Sequence, residues 1–339
     1  MKIEYLVEQR KHIPNEGLPL VNFSSPTERK DIPIETDWRK RPWTITTDFP
    51  ECVERNANAT VREDDVWIIG QQKTGTTWMQ EIVWLITHNF DFETFANVGT
   101  FQRTPNFEFT GVYKTAFADK IKFYDVYDAC DSLESPRVLK SHLTGNMLPT
   151  ELWTKKPKII YMTRNVKDAV LSRYHMYKGF HYWKGDLKSF LDAFLSDNLP
   201  YLPYWPHIFE FWQMRNEPNV FFTSYETIKK DLKGNLRKIC KFLEKPYTEE
   251  LLDQAVENLS FEKMKNSKAS EKTKELVERL DKAVGEENNE FNFYRKGEVG
   301  SFKEEFPEGY TEKLDAWSEK YLKEAGLTAD KILNFQKDF

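Results

Sequence analysis

The chain has 339 residues, 40% of them hydrophobic and 15% aromatic, with a formal net charge of −5. That is ample apolar material for one large packed domain. The acidic excess excludes a general nucleic-acid binder or a protein held by charge on an anionic membrane, while a local basic site for one anionic ligand stays allowed.

The first 60 residues carry prolines at positions 14, 19, 26, 33, 42 and 50 and read as an irregular arm packed on a domain of residues 61–339. The opening MKIEYLVEQRKHIPNEG lacks the apolar stretch of a signal peptide. No segment offers the roughly 20 apolar residues that cross a bilayer, so no membrane insertion is expected. Cys52, Cys130 and Cys240 are odd in number, far apart and without a Cys-x-x-Cys pair, which favours a reducing, cytoplasmic setting over a disulfide framework. The Asn-x-Ser/Thr triplets at Asn22, Asn58 and Asn258 then carry no meaning as glycosylation sites.

From residue 66 onward, short apolar runs alternate with helix-like segments. Residues 66–70 (VWIIG), 137–142, 158–162 (KIIYM) and 220–223 are predicted strands. Helices are predicted over 76–88, 168–178 and 227–243. Such alternation gives a single α/β domain with a mainly parallel sheet flanked by helices. Two stretches break the pattern. Residues 90–136 are aromatic and aperiodic, and residues 262–291 are dominated by Lys and Glu. They read either as a surface insertion and a solvated helix, or as a substrate rim and a mobile lid.

The first chemical signal is Gly70-Gln71-Gln72-Lys73-Thr74-Gly75-Thr76-Thr77-Trp78, between a strand and a helix, where main-chain N–H groups and the helix N-terminus favour an anion. Measured against the GxxxxGK[ST] phosphate loop, Gly70, Gly75 and Thr77 hold their spacing, Thr76 stands where the lysine belongs, and the cation has moved back to Lys73. No apolar strand ends in an aspartate, since KIIYM runs into Thr163-Arg164. The loop therefore suits a nucleotide phosphate without the metal–triphosphate apparatus of a kinase, and no metal is expected. Taken alone, it also fits an ordinary helix start capped by threonines.

The segment IIGQQKTGTTW closely resembles the signature of the cytosolic sulfotransferases, with Thr74 replacing the usual serine. Three further segments resemble that family's motifs in the family's order. Leu139-Lys140-Ser141-His142-Leu143 matches its Lys-(Thr/Ser)-His-Leu. Residues two apart on an extended segment share a face, so Lys140 and His142 present together, a cation beside a base that titrates near neutrality. The run from Tyr161 to Ser172 matches a strand–loop–helix that holds a 3′-phosphate, with Arg164 as a fork for phosphate oxygens and Ser172 as a further donor. Phe293-Tyr294-Arg295-Lys296-Gly297 matches the C-terminal Arg-Lys-Gly clamp, whose glycine lets backbone approach an anion. Tyr225 matches a tyrosine near the adenine. The likeness runs from about residue 64 to 303. It departs at Leu259-Ser260-Phe261, where the family has Thr-Ser-Phe, and at Pro307-Glu308, where the family's dimer motif has Thr-Val.

The resemblance implies a P-loop-like nucleotide-binding fold and an enzyme of detoxification or hormone metabolism. It would move a sulfonate from 3′-phosphoadenosine 5′-phosphosulfate (PAPS) to the hydroxyl of a phenol, steroid, retinoid or other alcohol, leaving adenosine 3′,5′-bisphosphate (PAP). It implies His142 as base, Lys73 at the leaving oxygen and Lys140 at the sulfonate. Thr74, Gly75, Thr76 and Thr77 would hold the 5′-phosphate, and Arg164, Ser172, Arg295, Lys296 and Gly297 the 3′-phosphate. Trp78, Tyr225, Ser260, Phe261, Phe293 and Tyr294 complete the nucleotide site. Phe107, Lys140, His142 and Met176 are expected at the acceptor, with Phe101, Phe109, Tyr113, Tyr177, Phe180 and Tyr182 as further lining. The small-molecule acceptor is the only partner expected besides the donor, with no nucleic acid. The altered dimer motif points to a monomer or a non-standard dimer. An insect-type or retinol-dehydratase-like member, in which sulfonation is followed by elimination, stays open, as does a nucleotide kinase on a related loop.

Overall fold

The computed structural model describes residues 6–9, 18–24, 32, 41–112, 125–285 and 291–337. Its first strands fall in the segment expected to be irregular. β1 (Leu6–Gln9), β2 (Leu20–Ser24) and β3 (Trp43–Thr46) form a three-stranded antiparallel sheet in that order, and a helix follows at Phe49–Ala57. The expectation of an irregular arm is therefore corrected. Three of the prolines punctuate these elements without breaking them: Pro19 precedes β2, Pro42 precedes β3, and Pro50 opens the helix, where a missing N–H forfeits no bond. β2 alternates, burying Val21 and Phe23 in the main core beside Trp43, Ile45 and Phe49. β3 is tied to the rest of the chain by main-chain bonds from Thr44 to the Leu202 carbonyl at 2.8 Å and from Tyr201 to the Thr44 carbonyl at 2.7 Å.

The second sheet is parallel. β4 (Val66–Gly70), β5 (Val138–Ser141), β6 (Lys158–Thr163) and β7 (Val220–Ser224) lie in the order β5-β4-β6-β7. Side chains alternate between two cores. Trp67, Ile69, Leu139, Tyr161 and Phe222 enter one, while Ile68, Val138, Ile160, Met162 and Phe221 enter the other. Burial on both faces is why β4 and the middle of β6 read as unbroken apolar runs, while β5 is apolar only at Val138 and Leu139 before Lys140 and Ser141. The chain passes from β4 to β5 on one side and then to β6 on the other, so the strand order reverses at β4. A crevice opens outside the carboxyl ends of strands at such a switch point.

The helices follow the sequence pattern with one difference. Residues 227–243 are not one helix, because Asp231 leaves the helical region (φ −147°, ψ 81°). It separates Tyr225–Lys230 from Leu232–Phe242 and caps the latter by accepting from the Gly234 N–H at 2.9 Å. The Lys/Glu-rich stretch forms helices Phe261–Lys265 and Lys268–Val284. The second turns Val277 and Leu280 into the interior and leaves most of its charges outside, Asp281 excepted, which pairs with His181 at 2.6 Å.

Candidate active site

β4 ends at Gly70, where a Cβ would lie 2.3 Å from the Met162 carbonyl oxygen of β6, so only glycine lets the two strands stay paired there. Lys73 and Gly75 take positive φ (65° and 96°) to fold the loop back before helix Thr76–Thr87 begins. Thr74 is fully buried and its hydroxyl donates to the Gln71 carbonyl at 2.7 Å. Its side chain shapes the loop and is not part of the cavity wall. Gly75, Thr76 and Thr77 do line the cavity, and no side chain caps the helix N-terminus they form.

That cavity has a volume of about 540 Å³. Lys73 enters it with Nζ 3.7 Å from the centre of the Phe293 ring. Burial, then repulsion from Arg164, Lys140 and Arg295, lowers its ammonium to about 7. From β5 comes Lys140, almost fully buried and lowered by burial to about 8, with Glu108 opposing the shift. Just past β5, His142 Nδ1 lies 2.5 Å from the Gly70 carbonyl oxygen. A carbonyl only accepts, so Nδ1 carries the proton and Nε2 keeps a free lone pair. Burial, then Lys140, holds the imidazole well below its ordinary value and so neutral.

Residues 105–107 run alongside β5, with main-chain bonds from Lys140 to the Pro105 carbonyl (3.1 Å) and from Phe107 to the Lys140 carbonyl (2.8 Å). This pairing decides which side chains reach the cavity. Asn106 lines it, and Phe107 turns the other way to pack against Trp67 (5.0 Å between ring centres) and Tyr127 (5.4 Å). The expected role of Phe107 at the acceptor is therefore corrected. Tyr177 is also a core residue, its hydroxyl donating to Gln72 Oε1 at 3.1 Å. Met176 does line the cavity, with Phe101, Phe109, Phe180, Tyr182 and Leu276 forming an apolar half. Tyr113 lies outside the described residues.

The polar half gathers residues from distant parts of the chain. Arg164 follows β6, donating to the Lys73 carbonyl (3.2 Å) and the Glu298 carbonyl (3.0 Å), with its guanidinium 4.4 Å above the Tyr225 ring. Its Nε is buried without a partner among the described residues. Ser172, Tyr225, Ser260, Phe261, Phe293, Tyr294, Arg295, Lys296 and Gly297 join it in the wall. Trp78 lines the wall too, fixed by its Nε1 donating to the Leu259 carbonyl at 3.0 Å, with its ring 5.6 Å from Tyr225. Gly297 has φ 66°, and a Cβ there would lie 2.2 Å from the Phe261 ring.

Two carboxylates that the sequence did not single out organise these groups. Glu108 is fully buried, and its Oε1 accepts the His142 N–H at 2.9 Å. Burial raises its carboxyl to about 7. Asp168, 1% exposed, accepts the Gly300 N–H at 2.7 Å, and the Ser301 hydroxyl and Phe302 N–H at 3.3 Å each. It fastens the segment carrying Arg295, Lys296 and Gly297 to helix Val166–Gly179. Nothing local marks either residue, since each meets its partners across long sequence separations.

A family model described as a sulfotransferase domain matches residues 63–326. Luciferin sulfotransferase of Photinus pyralis is 32% identical over 281 residues, covering 80% of this chain and 75% of that protein. Human sulfotransferase 1E1 is 32% identical over 268 residues, covering 78% and 86%. Among solved structures, retinol dehydratase in a complex with retinol and PAP aligns with a TM-score of 0.79 at 22% identity, covering 98% of this chain and 99% of that one.

Proposed function

The chain belongs to the sulfotransferase family, and from that premise we propose that the cavity at the ends of β4, β5 and β6 is the active site, with His142 as its base. The protein is a PAPS-dependent enzyme that transfers a sulfonate to small-molecule hydroxyls. The kinase alternative falls with the family match.

The residues of the wall fit such a donor. It offers a helix N-terminus free of a capping side chain and, beside it, Lys73. It also offers Ser172, Arg295, Lys296 and Arg164, whose buried Nε has no partner among the described residues. Trp78, Tyr225 and Phe261 in the same wall present rings of a kind that stacks on a base.

His142 carries the proposal. Its Nδ1–H is committed to Gly70, and its neutral Nε2 stands in the same cavity as Lys73 and Lys140. Nε2 takes the proton of the acceptor hydroxyl as that oxygen bonds to sulfur. The bond from sulfur to the bridging oxygen of the 5′-phosphate breaks, and the bridging oxygen keeps the electron pair. Lys73 balances the charge growing on that phosphate, and Lys140 balances the sulfonate oxygens. Catalysis then rests on placement and charge. Thr76 and Thr77 hold the 5′-phosphate; Arg164, Ser172, Arg295, Lys296 and Gly297 hold the 3′-phosphate.

The acceptor is a lipophilic phenol, steroid or retinoid-like alcohol, matched to the apolar half formed by Phe101, Phe109, Met176, Phe180, Tyr182 and Leu276. Residues 61–339 form the catalytic domain, and among the described residues before it Val21, Phe23, Trp43, Ile45 and Phe49 pack into its core. Among the described residues no helix is long and apolar enough to cross a membrane. The three cysteines are free thiols, which supports a cytoplasmic location. The protein acts as a monomer or as a dimer through another surface, because Pro307 has no N–H to donate and Glu308 is exposed at the position of the family's apolar dimer residue.

The test is a panel of phenols, steroids and retinoid alcohols incubated with PAPS labelled in the sulfonate. The expected result is a labelled ester formed one-for-one with PAP. A product lighter than the acceptor by one water identifies elimination after transfer, and no label on any hydroxyl refutes the reading.

A further inference from the structure

Arg295 and Lys296 line the cavity, yet neither presents a free charge to it. Arg295 Nη1 pairs with Glu305 Oε1, and its Nη2 donates to the Ser301 hydroxyl at 3.3 Å. Lys296 Nζ lies 2.6 Å from Glu304 and 3.4 Å from Glu305. Two cations thus meet two carboxylates, and the local charge sums to zero. Arg164 differs, for its described bonds go to main-chain carbonyls.

The carboxylates are held where they are. They end the short helix Phe302–Glu305, whose start is pinned by Asp168 through Gly300, Ser301 and Phe302. The other oxygen of Glu305 accepts from His175 Nε2 at 2.6 Å, on the same helix as Asp168. Burial lowers the His175 imidazole, so that contact adds no positive charge near neutrality. Glu305 is pushed up by burial, but His175 and Arg295 outweigh this and keep it ionised.

We infer that Glu304 and Glu305 are built-in competitors for Arg295 and Lys296, against which the 3′-phosphate of the nucleotide must exchange on entry and which recapture the cations when PAP leaves. The inference rests on the placement of the 3′-phosphate proposed above. A phosphate dianion gains bidentate bonds from Arg295 only by giving up a carboxylate partner of the same geometry. The pairs weaken nucleotide binding and speed product departure.

Calorimetric titration of the full chain with PAP at fixed salt tests this on four variants. Glu305→Gln keeps the shape and removes the charge, and it is expected to bind PAP on the order of three- to fivefold more tightly, the range of a half-exposed ion pair. PAP dissociation in stopped flow slows by a similar factor. Glu304→Gln, at the more exposed position, gives a smaller gain and guards against a folding artefact at Glu305. Arg295→Ala weakens PAP, and in Arg295→Ala/Glu305→Gln most of the gain disappears. Unchanged or weaker binding by both glutamine variants, with Arg295→Ala still weakened, overturns the inference alone and makes the carboxylates positioning groups. Arg295→Ala binding PAP like the wild type overturns the 3′-phosphate placement and this inference with it.

Discussion

Replacing Asp168 by alanine should loosen the nucleotide clamp without touching the nucleotide. Its carboxylate receives the Gly300 and Phe302 N–H groups and the Ser301 hydroxyl from a buried position. A hydrogen bond to a charged group contributes about 1.5–3 kcal/mol, so the two main-chain bonds alone amount to ~3–6 kcal/mol. Gly300 is only half-buried and recovers part of its loss by turning to water. A net cost of ~2–4 kcal/mol to the docking of residues 295–302 remains. At about 1.4 kcal/mol per tenfold, the docked-to-undocked ratio falls on the order of a hundredfold. Calorimetric titration is expected to show PAP affinity reduced, by at most the same hundredfold and by less the more firmly the segment is docked to begin with, and thermal melting to show a lower Tm for the donor-free protein. Asp168→Asn keeps one acceptor oxygen and should fall between. Asp168→Ala binding PAP within twofold of the wild type and melting at the same temperature would refute the reasoning, for the segment would then hold itself in place.

The pH profile follows from the buried lysines. The ratio kcat/KM for PAPS reports ionisations of the free enzyme. Lys73 at about 7 and Lys140 at about 8 must both be protonated, so kcat/KM falls as pH rises through that interval. Donor phosphates favour the charged lysines, so kcat itself declines only at higher pH. A kcat/KM that climbs steadily from about pH 7 to 9 contradicts these assignments. Light scattering at micromolar concentration is expected to return the 40.3 kDa monomer, or a dimer that Phe306→Ser leaves intact; a dimer that Phe306→Ser dissociates would show that the altered segment still makes an interface.

How much was legible depended on whether a residue's partner was near in sequence. The strands of the parallel sheet stood out because both faces are buried, and the loop from Gly70 to Thr77 and the Arg-Lys-Gly run are contiguous. Phe107 and Asn106 could not be told apart, because their facing is set by pairing with β5, more than thirty residues on. Glu108 and Asp168 look like any surface acid until distant N–H groups converge on them. In the N-terminal segment the prolines hid β2, although the alternation of Leu20-Val21-Asn22-Phe23-Ser24 is a strand signal. The break at Asp231 was passed over, because the apolar periodicity runs through it, although aspartate is one of the residue types that cap a helix start.

The measurement closest to the central claim pairs turnover with nucleotide binding in His142→Ala. Because His142 acts on the acceptor and its ring donates to the Gly70 carbonyl, its loss should lower kcat by about 10²–10⁴. PAP affinity should stay within about twofold, a difference of well under 1 kcal/mol. A variant that keeps most of its turnover, or one whose PAP binding falls in step with kcat, would contradict the assignment of His142 as the base.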